Sequence, residues 1–313
     1  MDTKPINILV TGGAGFIGSH LVSWLVAQGH KVCVLDNFAS GRAEALDPLR
    51  HSIEVIRGDI RDFPTVQAAV QNVELIFHLA AMVSVVQSVE QPLIAQAINA
   101  DGSLHVLEAA RQAGVSRVVQ ASSCAVYGNT TLLPVSEAAL PDPLSPYALT
   151  KLAAERSGQL YNYLYGLETV ALRFFNVYGP GQDPASAYAA VVPRFISALR
   201  SGEQPTIYGD GRQSRDFVFV EDIVQALWAA SIAPGIGGRV FNVGSGVATT
   251  ILDLADMIGD LLGIAVQPRA FPARTGEVQH SYADVSLFAQ LGDFKAKTSL
   301  RAGLAATISR GSM

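Results

Sequence analysis

Short apolar runs alternate with segments of helical periodicity through the first half of the chain. "INILV" (6–10) precedes a glycine-rich turn and a helix over Gly15–Gln28, and "KVCVLD" (31–36) follows as a strand. "IEVIRGD" (53–59) leads to a helix near 64–71. "ELIFHLA" (74–80) leads to a helical region over about 94–113, and "RVVQASS" (117–123) is the fifth strand. "PYALTKLAAERSGQLYNYLYG" (146–166) carries apolar residues at helical spacing, and "ETVALRFFN" (168–176) returns as a strand. This alternation predicts an α/β fold, a doubly wound parallel sheet of the Rossmann type with right-handed crossovers. Beyond about residue 177 the texture changes. "GPGQDPASAY" and "IYGDGRQSRD" are long polar loops, with helices expected at 191–201, 221–231 and 251–262 and a strand at "RVFNVG" (239–244). Loops this long in a compact protein usually carry function.

The first turn gives the first half its chemistry. "VTGGAGFIGSH" follows one strand and opens a helix; Gly12, Gly15 and Gly18 lie three apart, and Gly13, Gly15 and Gly18 also match G-x-G-x-x-G. Glycines here permit a tight turn and close approach of a pyrophosphate, while the helix N-terminus at Phe16 and Ile17 offers free N–H donors. Asp36 ends the next strand; a carboxylate there accepts from ribose hydroxyls and repels a 2′-phosphate, which favours NAD over NADP. The plainer reading of Asp36 is a solvated strand-end acid, and Arg42 could tolerate a phosphate. Asp59, in "GDIRD", is a candidate for the adenine amino group or, more plainly, a helix N-cap. Leu79, Ala80 and Ala81 supply the small backbone wall that a cofactor needs, and His78 reads as structural. The resulting division is a dinucleotide-binding domain over 1–176 plus about 215–245, and a smaller discontinuous substrate-binding α/β domain over 177–214 and 246–313.

In "SPYALTK", Tyr147 and Lys151 stand four apart on an expected helix and share a face. A lysine ammonium and an oxidised nicotinamide nearby both favour phenolate; bringing a tyrosine from about 10 to near 7 takes roughly 4 kcal/mol of differential stabilisation. A serine from "SSCAVYG" (122–128) can orient the substrate oxygen and relay the proton.

These stretches, with "HLAA" and "RFFNVYGPGQ", resemble the extended short-chain dehydrogenase/reductase family and, more narrowly, its nucleotide-sugar 4-epimerases, over about residues 6–285. By that resemblance the catalytic set is Ser123, Tyr147 and Lys151, with Ser122 as support. Cofactor contacts are implied at Asn37, Ser40, Gly41, Ile60, Asn99, Ser122 and Phe174. The two positions after Ser123 help choose the reaction. Related 4,6-dehydratases carry an Asp-Glu pair there and decarboxylases a Glu at the second, whereas here they are Cys124 and Ala125. Dehydration must protonate a leaving hydroxyl, and Ala125 cannot do so; Cys124 reads as a packed small residue. What remains is oxidation at C4, rotation of the 4-keto sugar and return of the hydride, using NAD.

The resemblance also implies substrate contacts at Ser84, Asn176, Gln182, Ala190 and Val191, with Thr206 and Tyr208 toward the nucleobase and Arg215 and Arg274 as diphosphate clamps. Glu277 is implied at a ribose. Each guanidinium can donate a bidentate pair. Ser281 stands where some epimerases have a bulky tyrosine, so UDP-GlcNAc and UDP-GalNAc are expected to fit beside UDP-Glc and UDP-Gal. Val83 departs from the glycine of N-acetyl-preferring relatives. The helices near 94–113 and 146–165 resemble a pair that builds a four-helix homodimer interface. Alternatives are another sugar-nucleotide epimerase or oxidoreductase of this fold, or a non-catalytic NAD-binding sensor, which has no need of all three catalytic residues.

Composition narrows the picture further. The 313 residues are 49% hydrophobic and carry a net charge of −5 without a basic cluster, which argues against nucleic-acid binding. The only two cysteines, Cys33 and Cys124, each in a strand-like run, suggest a reducing compartment rather than a disulfide framework. With no signal-like start and no membrane-length apolar run, a soluble cytoplasmic protein is expected. No metal is expected.

Overall fold

The computed structural model describes residues 4–183, 190–273 and 278–310. β1 (Asn7–Thr11), α1 (Phe16–Ala27), β2 (Lys31–Asp36), β3 (Ile53–Arg57), α2 (Phe63–Ala69) and β4 (Leu75–His78) follow one another. Next come α3 (Val85–Glu90), α4 (Pro92–Gln96), α5 (Gly102–Ala113), β5 (Arg117–Ser123), α6 (Pro146–Tyr165) and β6 (Glu168–Phe174). The second half holds β7 (Asn176–Tyr178), α7 (Val191–Arg200), β8 (Thr206–Tyr208), β9 (Ser214–Arg215), β10 (Phe217–Phe219), α8 (Val220–Ile232) and β11 (Arg239–Val243). It ends with β12 (Thr249–Thr250), α9 (Ile251–Leu262), β13 (Arg269–Phe271), β14 (His280–Ser281), α10 (Ser286–Gly292) and α11 (Leu300–Arg310).

The main sheet has the order β11-β6-β5-β4-β1-β2-β3, and each neighbouring pair is parallel. The order reverses between β1 and β4, which opens a crevice at the carboxyl ends of those strands. β1 is buried on both faces. Ile8 and Val10 join the core formed with α1, α8, Phe241 and Phe288, while Leu9 joins Leu35, Ile76, Val106 and Val118 on the other side. A third core gathers Tyr178, Phe195, Leu199, Ile207, Leu254, Ile258 and Leu304 from α7, α9, α11 and the short strands.

Two elements differ from the sequence expectation. The helical region begins at Val85, nine residues early, because Ser84 caps α3 by accepting from the Gln87 N–H at 3.0 Å. It then breaks at Gln91, ahead of Pro92, since a residue before proline is steered out of helical geometry. A turn of π-helix over Ala97–Asp101 joins α4 to α5. Cys124 is not in a strand: β5 stops at Ser123, and a 3-10 turn over Cys124–Tyr127 follows.

The glycine turn shows the tightest local demand. Gly12 has φ +73°, and a Cβ there would fall 2.6 Å from the Ala80 nitrogen; one at Gly18 would strike the Gly12 carbonyl. Gly12→Ala is therefore expected to lose about 1–3 kcal/mol through backbone strain alone and more through the overlap. A lower thermal unfolding midpoint, together with loss of nucleotide retained on purification, checks this.

Candidate active site

Asp36 binds the glycine turn to the end of β2. Its carboxylate accepts from the Ala14 N–H at 2.9 Å and the Phe38 N–H at 2.8 Å, and it is 7% exposed. The loop holding Ser40 and Gly41 packs back on the same turn, with Arg42 N–H donating to the Ala14 carbonyl at 3.1 Å. No side chain caps α1 at Gly15, so its first N–H groups face the crevice without a side-chain acceptor. Asp59 is neither an N-cap nor an open acceptor. Asp62 occupies the N-cap position of α2 without a side-chain cap bond, while the Asp59 carboxylate accepts from Arg61 and from Asn37 Nδ2, and Arg61 holds it well below the usual carboxylate range.

Several side chains implied at the cofactor make contacts within the fold. Ile60 lies in the core beneath Gly102. Asn99, presented by the π-turn, ties Met82 to Thr150, donating to the Met82 carbonyl at 3.0 Å and to Thr150 Oγ1 at 3.1 Å. Phe174 is buried in the core around β6. Ser122 Oγ donates to Glu155 Oε1 at 2.5 Å, because Glu155 on α6 lies directly across from it. His78 is held between Thr11 Oγ1 (2.7 Å) and Ser103 Oγ (2.8 Å); burial, and secondarily Lys151, push its pKa down to about 3, so it stays neutral. Leu79 and Ala80 are tied through their N–H groups to Thr11, and Ala81 follows.

The predicted catalytic residues do converge. Ser145 caps α6 by accepting from the Ala148 N–H at 3.2 Å, with Pro146 at the first turn, which fixes the phase of the helix. Tyr147 and Lys151 then both lie buried against the end of β5. Ser123 Oγ accepts from the Ala125 N–H at 3.2 Å and lies near the Tyr147 phenol, whose pKa it lowers. Lys151 Nζ donates to the Ala121 carbonyl at 2.9 Å. The Cys124 thiol lies near Ser281 and Ser123, and burial pushes its pKa up to about 11. It is a protonated wall group, not a nucleophile.

Beyond them lies a cavity of about 230 Å³ lined by Asn176, Ala190, Val191, Thr206, Tyr208 and Arg215, the residues expected for a nucleotide. Arg194, Gln213, Phe217 and Ile251 also line it and were not anticipated. Gln213 Nε2 supports Tyr208 by donating to its carbonyl at 2.7 Å. Arg215 leans on the carbonyls of Ser214 and Gln279. Gln182 Nε2 donates to the Val177 carbonyl. Arg274 and Glu277 lie outside the described residues. Among the described residues no cluster of His, Cys, Asp and Glu could hold a metal ion, and no helix is long and apolar enough to cross a membrane.

Residues 8–244 match the family described as NAD dependent epimerase/dehydratase. The chain belongs to this family. It is 41% identical over 307 residues to the UDP-glucose 4-epimerase of Mycolicibacterium smegmatis, with 97% of each chain covered. A UDP-N-acetylglucosamine 4-epimerase from Methanobrevibacter ruminantium, solved in complex with UDP-N-acetylmuramic acid, superposes with a TM-score of 0.94 at 38% identity and 98% coverage of both chains. The Thermus thermophilus UDP-glucose 4-epimerase, solved with NAD, gives 0.89 at 35% identity, covering 97% of this chain and 98% of that one. The family's cofactor fits the crevice: the Gly12 and Gly18 positions leave a cradle that a Cβ would fill, the α1 N-terminus is uncapped, and a carboxylate stands at the end of β2.

Electrostatics in this family member depart from one expectation. Burial pushes the Tyr147 phenol up to about 12, eased by Ser123 and reinforced by Cys124. Lys151 does not counter this, because its ammonium is directed at Ala121 and burial lowers it to about 8. The phenol is therefore neutral in the chain by itself. Lys151 supplies positive charge only below about pH 8 and loses it as pH rises through that value. The expected kcat/KM profile accordingly has an alkaline limb near pH 8 that Lys151→Arg removes, read from initial rates across pH.

Proposed function

We propose that the chain is an NAD-dependent UDP-sugar 4-epimerase acting on UDP-Glc/UDP-Gal and/or UDP-GlcNAc/UDP-GalNAc. The observation that carries this reading is the joint burial of Tyr147 and Lys151 against the end of β5, where Lys151 Nζ donates to the Ala121 carbonyl, with Ser123 there and Ala125 in place of an acid beside it. In this reading Gly12, Gly15, Phe16, Ile17 and Asp36 hold NAD, with the wall Leu79–Ala81 beside it. Bound NAD supplies a hydride acceptor and donor. Tyr147 accepts the proton of the sugar 4-hydroxyl and later returns it. Ser123 holds that oxygen and relays the proton, and Lys151 favours the phenolate while charged. Asn176, Thr206, Tyr208 and Arg215 grip the UDP portion, leaving the hexose free to turn. Cys124 and Ser281 are small walls, so an N-acetyl group is accommodated. No acid adjoins Ser123, so elimination of a hydroxyl has no proton donor there.

The same reading divides the chain into an NAD-binding part (1–176 with about 215–245) and a substrate-binding part (177–214 and 246–313), with Phe288 of α10 anchored in the first part's core. We also propose a homodimer. Val85, Val89 and Leu93 of α3 and α4, and Leu149, Leu160 and Leu164 of α6, are exposed apolar residues that a second copy would cover. A cytoplasmic location suits its two free cysteines.

Incubation with each of the four UDP-sugars, followed by NMR, is expected to yield the C4 epimer of at least one pair; no epimer from any of them would overturn the reading. Tyr147→Phe is expected to lower turnover at least ~100-fold while bound NAD is retained. Light scattering is expected to give twice the chain mass.

A further inference from the structure

α6 carries a second charged residue toward the site. One turn after Lys151, Glu155 is 2% exposed, and two strands share its carboxylate. Ser122 Oγ on β5 donates to Oε1 at 2.5 Å. Arg173 on β6 donates from Nε to Oε1 at 2.9 Å and from its terminal nitrogen to Oε2 at 2.7 Å, a bidentate pair. Arg173 is itself 3% exposed, and its guanidinium lies 4.6 Å from the centre of the Tyr127 ring. Tyr127 Oη donates to Asn242 Oδ1 at 2.6 Å, and Asn242 Nδ2 donates to the carbonyls of Val135 (2.8 Å) and Asp284 (3.2 Å). One ion pair thus joins the helix of Tyr147 and Lys151, the strand of Ser123, and a chain of contacts ending three residues past Ser281.

A buried ion pair is a poor way to gain stability, since desolvating two charges offsets their attraction and apolar replacements often do as well. Its value lies in what it fixes. We propose that Glu155 is a positioning residue of the epimerase centre: gripped by Ser122 and Arg173, it sets the turn of α6 that presents Lys151 and keeps a negative charge beside that ammonium. This rests on the 4-epimerase reading above.

The groups facing Lys151 make Glu155 the anion that matters. From its own helix come Tyr147, a neutral phenol, and Glu155. From β4 comes His78, held neutral. From β5 comes the Ala121 carbonyl. From β6 comes Arg173, on the far side of the Glu155 carboxylate. Burial works against the lysine's charge and Glu155 works for it.

Glu155→Gln keeps the side-chain size and an acceptor for Ser122 while removing the charge. Lysine-labelled protein, with the Lys151 signal assigned by Lys151→Arg, lets NMR follow its titration directly. The expected result is that Lys151 loses its proton about one pH unit lower in Glu155→Gln, and that the alkaline limb of kcat/KM moves with it. kcat is expected to fall ~10-fold with KM changed less than ~2-fold. Glu155→Asp, which retains the charge, should leave the Lys151 titration in place while lowering kcat. An unmoved Lys151 titration in a folded Glu155→Gln protein overturns the proposal, even where thermal stability drops. Ser122→Ala removes only one hydroxyl and tests the grip should Glu155→Gln not fold; it is expected to lower kcat ~3-fold, and an unchanged kcat overturns the proposal. The lysine titration needs no substrate, so a failed 4-epimerase assay is distinguishable from a failed positioning role.

Discussion

The docking of α6 on the carboxyl end of β5 is the contact on which the rest of the site depends. Gly158 lets the helix come close, because a Cβ there would strike the Gln120 side chain. Closer to the active end, Lys151 donates to the Ala121 carbonyl, Glu155 accepts from Ser122, and Tyr147 meets Ser123. The first two are polar contacts of 2.9 Å and 2.5 Å between one helix and one strand. A slip of one residue would break all of them together, which is stronger specification than apolar packing provides. The Ser145 cap and Pro146 set where the helix starts, so local sequence decides the phase that the buried contacts then hold.

That docking also explains why the chain alone is not activated. Burial opposes charge on Tyr147 and on Lys151 at once, raising one and lowering the other. A neutral phenol beside a weakly held ammonium does not take a proton from a hydroxyl near pH 7. The carboxylate of Glu155 works against the loss of charge on Lys151 without touching the reacting atoms. Arg173 in turn is stacked over Tyr127 and neutralises a carboxylate that would otherwise be alone in the interior.

What the sequence made legible follows from how local each signal is. The βα alternation, the glycine turn with Asp36, and the Tyr147–Lys151 spacing all lie within short stretches, and all of them stand in the structure where the patterns put them. The contacts that no local pattern announces depend on partners distant in sequence. Ser122 and Ser123 are neighbours with identical side chains, yet Ser122 meets Glu155 on α6 while Ser123 Oγ accepts from the Ala125 N–H. Asn99 serves Met82 and Thr150 because a π-turn rotates it inward, and no periodicity announces that turn. Arg194 and Gln213 reach the cavity beside Thr206 and Tyr208 from a helix and a loop whose placement is tertiary. Glu155 did leave a trace, since it stands four residues after Lys151 on the same face, and a carboxylate at that spacing from a buried lysine is a readable pair.

The substrate half of the site is held by a second buried carboxylate. Asp216 is fully buried and accepts from the N–H groups of Ser245, Gly246 and Ala283 and from Ser245 Oγ. Gly244 has no side chain because a Cβ would run into this carboxylate. Asp216 directly follows Arg215, and Arg215 is in register with Ser281 across β9 and β14. The nucleotide end of the cavity and the wall beside Cys124 are therefore parts of one knot of hydrogen bonds. With that backbone fixed, the room around the hexose is set by which side chains project from it. In the 4-epimerase reading, discrimination between plain and N-acetylated sugars would fall to small walls such as Cys124 and Ser281, where one added group changes a substrate's fit.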